Sequence, residues 1–367
     1  MEKVKLLDVC DVYQPKTIAT KEFVSDGGYV VYGANGPIGR YTGYNHEESE
    51  ILMACRGATC GAINVSEPYS WINGNAMVVH PNGTVPLMKK YLMYFLMFAN
   101  KESIITGTAQ PQITRQNMRE FEIVICSEEE QKSIVARIEE LFSELDNGVE
   151  TLRKTKQQLA VYRQAVLKQA FDVAEKMVPF GRITDSRLGK MLDKSKNTGT
   201  PRRYLRNINV RWFSFDLSDL LEMRIEDEEV EKYTIKCGDL VICEGGEPGR
   251  CAVWDSEDTI YYQKALHRVR FTDDSNARFY MYYLWFAAQS GKLNSFFTGT
   301  GIKHLTGQSL AKVPVPNVER VVQDRIVMEI ESRLSVCDSI EKTVDTALQQ
   351  AEAMRQSILK KAFEGRI

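Results

Sequence analysis

RQAVLKQAF at Arg163–Phe171 returns as RQSILKKAF at Arg355–Phe363, and the rest of the chain is read outward from this pair. The two copies stand 192 residues apart (355 less 163). The same offset joins Gly107-Thr108-Ala109-Gln110-Pro111-Gln112-Ile113-Thr114 to Gly299-Thr300-Gly301-Ile302-Lys303-His304-Leu305-Thr306. It also joins Gln131, Ile134, Val135, Ile138 and Glu139 to Gln323, Ile326, Val327, Ile330 and Glu331, and Gln157-Gln158 to Gln349-Gln350. One register held without a gap from Gly107 to Phe171 is an internal duplication. Upstream the match fades. Tyr91-Leu92 still align with Tyr283-Leu284, but Ile51–Val65 (ILMACRGATCGAINV) and Leu240–Trp254 (LVICEGGEPGRCAVW) share only a strand, a glycine turn and a strand. Each half thus has a variable front and a similar back, as expected of a molecule that does one task twice on two different targets.

The backs read as long helices. From Glu128 to Phe171 there is no proline, and apolar residues recur at Ile134, Ile138, Leu141, Leu145, Val149, Leu152, Leu159, Tyr162 and Val166. The second copy offers Ile326, Ile330, Leu334, Cys337, Ile340, Val344, Ala347, Ala351, Met354 and Ile358. Steps of three, four and seven are heptad spacing. Ser127 before three glutamates supplies an N-cap and an acidic first turn suited to the helix dipole. Two stripes of equal length and period predict an antiparallel coiled coil of the two helices, with Ile134, Ile138, Leu141, Leu145, Ile326, Ile330, Leu334 and Ile358 in the seam or at a partner-docking surface. Packing of each helix across its own half is the competing arrangement.

The fronts read as loop-rich mixed domains. Short strand signals (Val30-Val31-Tyr32, Ala76–His80, Tyr233–Cys243) alternate with turn pairs such as Gly27-Gly28, Gly36-Pro37 and Pro248-Gly249. Helices are expected near 86–100 and 276–290, and Pro179 with Gly181 opens the second front. The fold expected is therefore α+β: two loop-rich domains separated by two long helices, a pseudo-twofold internal repeat. Its segments are 1–127, 128–172 (helix), 173–318 and 319–367 (helix).

Composition sets limits. The 367 residues are 43% hydrophobic and 26% charged, with a net charge of −2, so any polyanion-binding surface must be local. MEKVKLLDVC lacks a secretion signal, and the apolar run Tyr91–Ala99 falls far short of the roughly 20 residues that span a bilayer. A cytoplasmic protein without membrane partners is expected. Eight cysteines form no CxxC pair and His46, His80, His267 and His304 stand apart, so buried reduced thiols are expected rather than a metal site. No phosphate loop, adenine-methylation motif or dinucleotide fingerprint is present, so no catalytic residue is assigned. A nuclease would betray itself by cleavage with a divalent metal.

Three segments together carry a resemblance: the Gly-Thr…Ile/Leu-Thr loop (107–114 and 299–306), the Gln-x-x-Ile-Val-x-x-Ile-Glu helix start (131–139 and 323–331), and the Leu-Lys-x-Ala-Phe helix end (167–171 and 359–363), the second closed by Glu364-Gly365-Arg366-Ile367. In duplicate and in order, they resemble the specificity subunits of type I restriction–modification systems across essentially the whole chain. Arg56-Gly57-Ala58-Thr59 is similar to the turn such domains show between two strands; Glu244–Arg250 departs from it.

The resemblance implies two target-recognition domains, each reading one half of a bipartite site in double-stranded DNA, with the helices as spacer and docking surface. The implied partners are two modification (methyltransferase) subunits using S-adenosylmethionine and motor-nuclease restriction subunits using ATP and Mg; no cofactor is expected on this chain. Arginine and lysine suit guanine, and asparagine and glutamine suit adenine. The DNA-reading candidates are Arg40, Arg56, Gln110, Gln112 and Arg115 in the first front. In the second they are Arg202, Arg203, Arg206, Arg250, Lys303 and His304. Arg202-Arg203-x-x-Arg206, with Arg211 beyond, is the densest basic stretch, offset in the total by Glu226–Glu231. Each candidate has solvated surface charge as its bland alternative. Thr108 and Thr300 read as structural, capping the following helix or seating the loop. The rival for the whole chain is a coiled-coil scaffold carrying two non-DNA recognition domains.

Overall fold

A computed structural model of the chain describes residues 2–107, 109–172, 176–193 and 197–366. Thr108 and Ile367 of the quoted motifs lie outside the described residues. The long helices span Glu128–Phe171 and Arg320–Phe363, 44 residues each, or about 66 Å at 1.5 Å per residue. The first starts where the sequence places it. Ser127 Oγ accepts from Glu130 N at 3.3 Å while the Glu130 carboxylate accepts from Ser127 N at 3.0 Å, a reciprocal capping box.

The chain divides into two compact units, Met1–Leu152 with Asp345–Ile367, and Arg153–Val344, so each unit owns one half of each long helix. Within unit 2 the helices run antiparallel. Arg163 reaches Asp338 at 2.6 Å and Glu341 at 2.8 Å, Lys156 reaches Glu341 at 3.5 Å, and Arg333 donates to Gln169 at 3.0 Å. Within unit 1, Arg355 pairs with Asp146 and lies 5.0 Å over the Phe142 ring. Val135 and Ile138 there share a core with Leu359 and Ala362.

Most of the expected seam is covered: Ile138, Leu159, Val166, Ile330, Leu334, Cys337, Val344, Ala351 and Ile358 are buried, and Ile134, Leu141, Leu145 and Ile326 half-buried. Three expected positions are not. Tyr162, Ile340 and Met354 are 47%, 40% and 52% exposed. Leu167 and Leu359, which the heptad reading skipped, are 0% and 2% exposed, buried in the cores that the helices share with the fronts.

The fronts repeat the same architecture where their sequences do not match. Unit 1 carries an antiparallel sheet in the spatial order Cys10–Tyr13, Ala76–Pro81, Ile51–Ala54, Ile63–Val65, and unit 2 one in the order Thr184–Leu188, Leu266–Phe271, Leu240–Cys243, Cys251–Val253. The register agrees as well: Ile51 faces Val65 and Val79, as Leu240 faces Val253 and Val269. A second sheet in each unit contains a parallel pair, Tyr29–Gly33 with Trp71–Ile72 and Thr200–Leu205 with Ile260–Tyr262. Helices Lys89–Phe98 and Ala277–Gln289 bury Tyr91, Leu92 and Phe95, and Tyr280, Tyr283 and Leu284.

Two duplicated residues join each front to its helix. Gln131 accepts from Met88 N at 2.8 Å and donates to Pro86 O and Cys126 O at 2.8 and 2.9 Å. Gln323 accepts from Asn276 N at 2.7 Å and donates to Val318 O at 2.9 Å. Met88 and Asn276 are the N-caps of the short helices, so one buried amide closes a helix start that would otherwise leave an orphan donor. At the other end, Phe171 meets Phe279 and Tyr283 at ring distances of 5.4 and 5.3 Å, and Phe363 meets Tyr91 and Phe95 at 5.4 and 5.3 Å.

All eight cysteines are free and six are buried, while Cys60 is half-buried and Cys237 exposed. No helix among the described residues is long and apolar enough to cross a membrane.

Candidate nucleic-acid interface

The Gly-Thr loops are small hairpins. Thr106 and Gln112 exchange backbone hydrogen bonds of 2.9 and 2.8 Å, and Thr298 and His304 bonds of 2.8 and 2.9 Å. Gly107 (φ +87°) and Gly299 (φ +99°) turn the chain where a side chain would strike the carbonyls of Gln110 and Ile302, which is why glycine recurs there. The second threonine of each loop accepts a backbone bond at the start of the next turn. Asn117 N donates to Thr114 Oγ1 and Ser309 N to Thr306 Oγ1, each at 3.3 Å. Thr300 lies exposed in the hairpin.

Each hairpin docks on the turn that follows the central strand of its sheet. In unit 1, Ile113 N donates to Cys55 O and Gly57 N to Pro111 O, both at 3.0 Å, and Arg56 bridges to Gln112. In unit 2, Leu305 N donates to Glu244 O at 2.7 Å. Arg56, Gln110 and Gln112 are thus gathered, exposed, on one tip of unit 1, with Arg115 exposed three residues beyond Gln112. Lys303 and His304 are exposed on the matching tip of unit 2.

The remaining candidates sit elsewhere or are already engaged. Arg40 is exposed on the second sheet of unit 1 and donates to Gly28 O at 3.0 Å. Arg203 is exposed on the corresponding sheet of unit 2. Arg202 lies 5.2 Å over the Tyr261 ring and 3.8 Å from Asp227, and Arg206 pairs with Asp219 at 2.7 Å. The dense basic stretch is therefore partly neutralised locally, by carboxylates brought in from a separate short helix and turn. Arg250 is only 16% exposed; it binds Glu247 at 2.9 Å and Asn207 O at 3.1 Å. Trp212 Nε1 donates to the same Glu247 at 2.7 Å, and Asn207 donates to Gly245 O. Sequence reasoning missed Asn207, Trp212 and Glu247, because their meeting is set by the turn's fold and not by spacing.

Beneath the second tip, His267 is 1% exposed and hydrogen-bonds Leu305 O at 3.0 Å. A carbonyl can only accept, so Nε2 carries the proton there, leaving Nδ1 bare and buried. Burial holds this imidazole below its ordinary pKa of 6.5.

Each unit thus carries its own sheet and an equivalent exposed hairpin, joined to the parts of the long helices that belong to it. Residues 1–159 match the model of the type I restriction modification DNA specificity domain. The chain is similar to the specificity subunits of type I restriction–modification systems. It is 26% identical over 262 residues to the EcoKI specificity subunit of Escherichia coli K12, covering 65% of this chain and 56% of that one. The chain thus spans little more than half the length of that relative. It is 24% identical over 339 residues to a putative specificity subunit of Haemophilus influenzae, covering 89% and 85%. Two solved structures share the fold. One comes from work on complex assembly and conformational transition of the type I system (15% identity, 100% and 98% covered, TM-score 0.78). The other is the HsdS subunit of Thermoanaerobacter tengcongensis (16%, 100% and 97%, TM-score 0.57).

Proposed function

We propose that this chain is the DNA sequence-reading subunit of a type I restriction–modification enzyme, with no catalytic centre of its own. The fronts, 1–127 and 173–318, each read one half of a split site in double-stranded DNA, and the helices at 128–172 and 319–367 dock two modification subunits. The observation that carries this reading is the repeated tip: an exposed hairpin bearing Gln110 and Gln112, or Lys303 and His304, seated on the turn after the central strand. Side chains of these types at exposed positions suit base edges in the major groove. Methyl transfer to adenine, using S-adenosylmethionine, falls to the modification subunits, since the base must leave the stack to react. Motor-nuclease subunits using ATP and Mg restrict unmodified DNA.

The test is co-expression with the methyltransferase partner, followed by methylation-sensitive sequencing of host DNA. Methyladenine confined to one split motif with a fixed gap is expected. A stable complex without any motif-specific methylation overturns the reading.

A further inference from the structure

The two tips differ at one matched pair of positions. Ile113 N binds Cys55 O in unit 1 as Leu305 N binds Glu244 O in unit 2, so Arg56 and Gly245 occupy the same place. Gly57 (φ +84°) and Gly246 (φ +75°) follow, both at positive φ. Opposite them stand Gln112 and His304, each closing its hairpin onto Thr106 or Thr298. Unit 1 therefore sets arginine beside glutamine, and unit 2 sets glycine beside histidine. The second combination is a close fit: a Cβ at position 245 would come 3.0 Å from His304 Nδ1 and 3.2 Å from its Cε1, so the imidazole would have to shift by a few tenths of an ångström to admit it. The imidazole thus packs directly against the face that glycine leaves bare at position 245.

We propose that the pairs Arg56/Gln112 and Gly245/His304 are the specificity-determining elements of the two units, each reading one position of its half-site, and that Arg250 is a positioning residue. This rests on the DNA-reading function proposed above. In unit 1 the guanidinium fork faces guanine or the carboxamide faces adenine, both purine-edge contacts. In unit 2 the reading group is the imidazole, held over Gly245. Arg250 braces that turn from behind through Glu247 and Asn207, whose amide holds Gly245 O. An arginine in the second tip is thus engaged in holding a neighbour, while the arginine of the first is exposed.

The experiment uses the full chain in complex with its modification subunits and reads the methylated motif. Gly245→Ala and His304→Ala are expected to relax the same single position of one half-site, by roughly 10- to 100-fold in discrimination, with the other half-site unchanged. Arg56→Ala and Gln112→Ala should do the same in the other half. Arg250→Lys, which keeps the charge but loses the fork, should relax the position that His304→Ala relaxes. Retained reading of the untouched half shows that each variant is folded. An unchanged motif in Arg56→Ala or His304→Ala, different positions relaxed by Gly245→Ala and His304→Ala, or total loss of methylation in His304→Ala overturns the proposal. Absence of any split motif with the wild-type chain instead overturns the DNA-reading function, and the proposal with it.

Discussion

Gln131 is fully buried, and its side-chain amide meets three backbone groups. Removing one partner of a buried hydrogen bond costs about 1–3 kcal/mol, so Gln131→Leu should lower unit 1's stability by at least about 2 kcal/mol in urea denaturation; a loss below about 0.5 kcal/mol would deny the amide its role. His267 gives a pH signature. Its folded pKa lies below its ordinary 6.5, so as pH falls below that value the unfolded chain takes up the proton first and stability declines. Melting temperature should fall between pH 6.5 and 5 in the wild type, and more shallowly in His267→Gln. Equal slopes would assign the loss to carboxylates alone. At this scale the sequence was informative about which residues matter and poor about what they touch. The duplication singled out Gln131 and Gln323 directly. Nothing in the spacing of Arg202 or Arg206 announces Asp227 or Asp219, because those partners arrive from a separate short helix and turn.

Among the elements, the long helices were the most legible: Phe171 and Phe363 close them, as the repeated nonapeptide indicates, although the expected segments 128–172 and 319–367 ran past those ends. Local periodicity and capping suffice for a helix. The sheets were legible only as strand signals, since the order Cys10–Tyr13, Ala76–Pro81, Ile51–Ala54 depends on pairings far apart in sequence. That order recurs in unit 2 under a different sequence, and its interior strands Ile51–Ala54 and Leu240–Cys243 are buried throughout, so they read as short apolar runs rather than by alternation. Two expectations follow. Ser127→Ala, which removes one arm of the capping box, should cost about 1 kcal/mol. Phe171→Ala, which empties a buried aromatic site between Phe279, Tyr283 and Phe286, should cost about 3–5 kcal/mol. Calorimetry that found the two variants equally stable would contradict this division.

Over the whole molecule, the duplication specifies two tips and two helix seams from one plan, and a split DNA site is the target such a plan suits. If helix length sets the gap, inserting one full turn into both long helices should widen the preferred gap in a binding-site selection and leave both half-sites intact; an unchanged gap sinks the idea. The net charge of −2 neither favours nor excludes such a target, as global charge says little about a local footprint.

The division of the chain into units also bears on the order in which it matures. Unit 2 is one uninterrupted segment, Arg153–Val344, whereas unit 1 is assembled from Met1–Leu152 and a returning stretch that begins at Asp345. During synthesis the second unit can complete its fold as soon as its own residues have emerged, because domains generally fold as units. The first, though made earlier, must wait for Leu359, Ala362 and Phe363 to fill its core. A premature stop near residue 345 would therefore spare the later-made unit and cripple the earlier one.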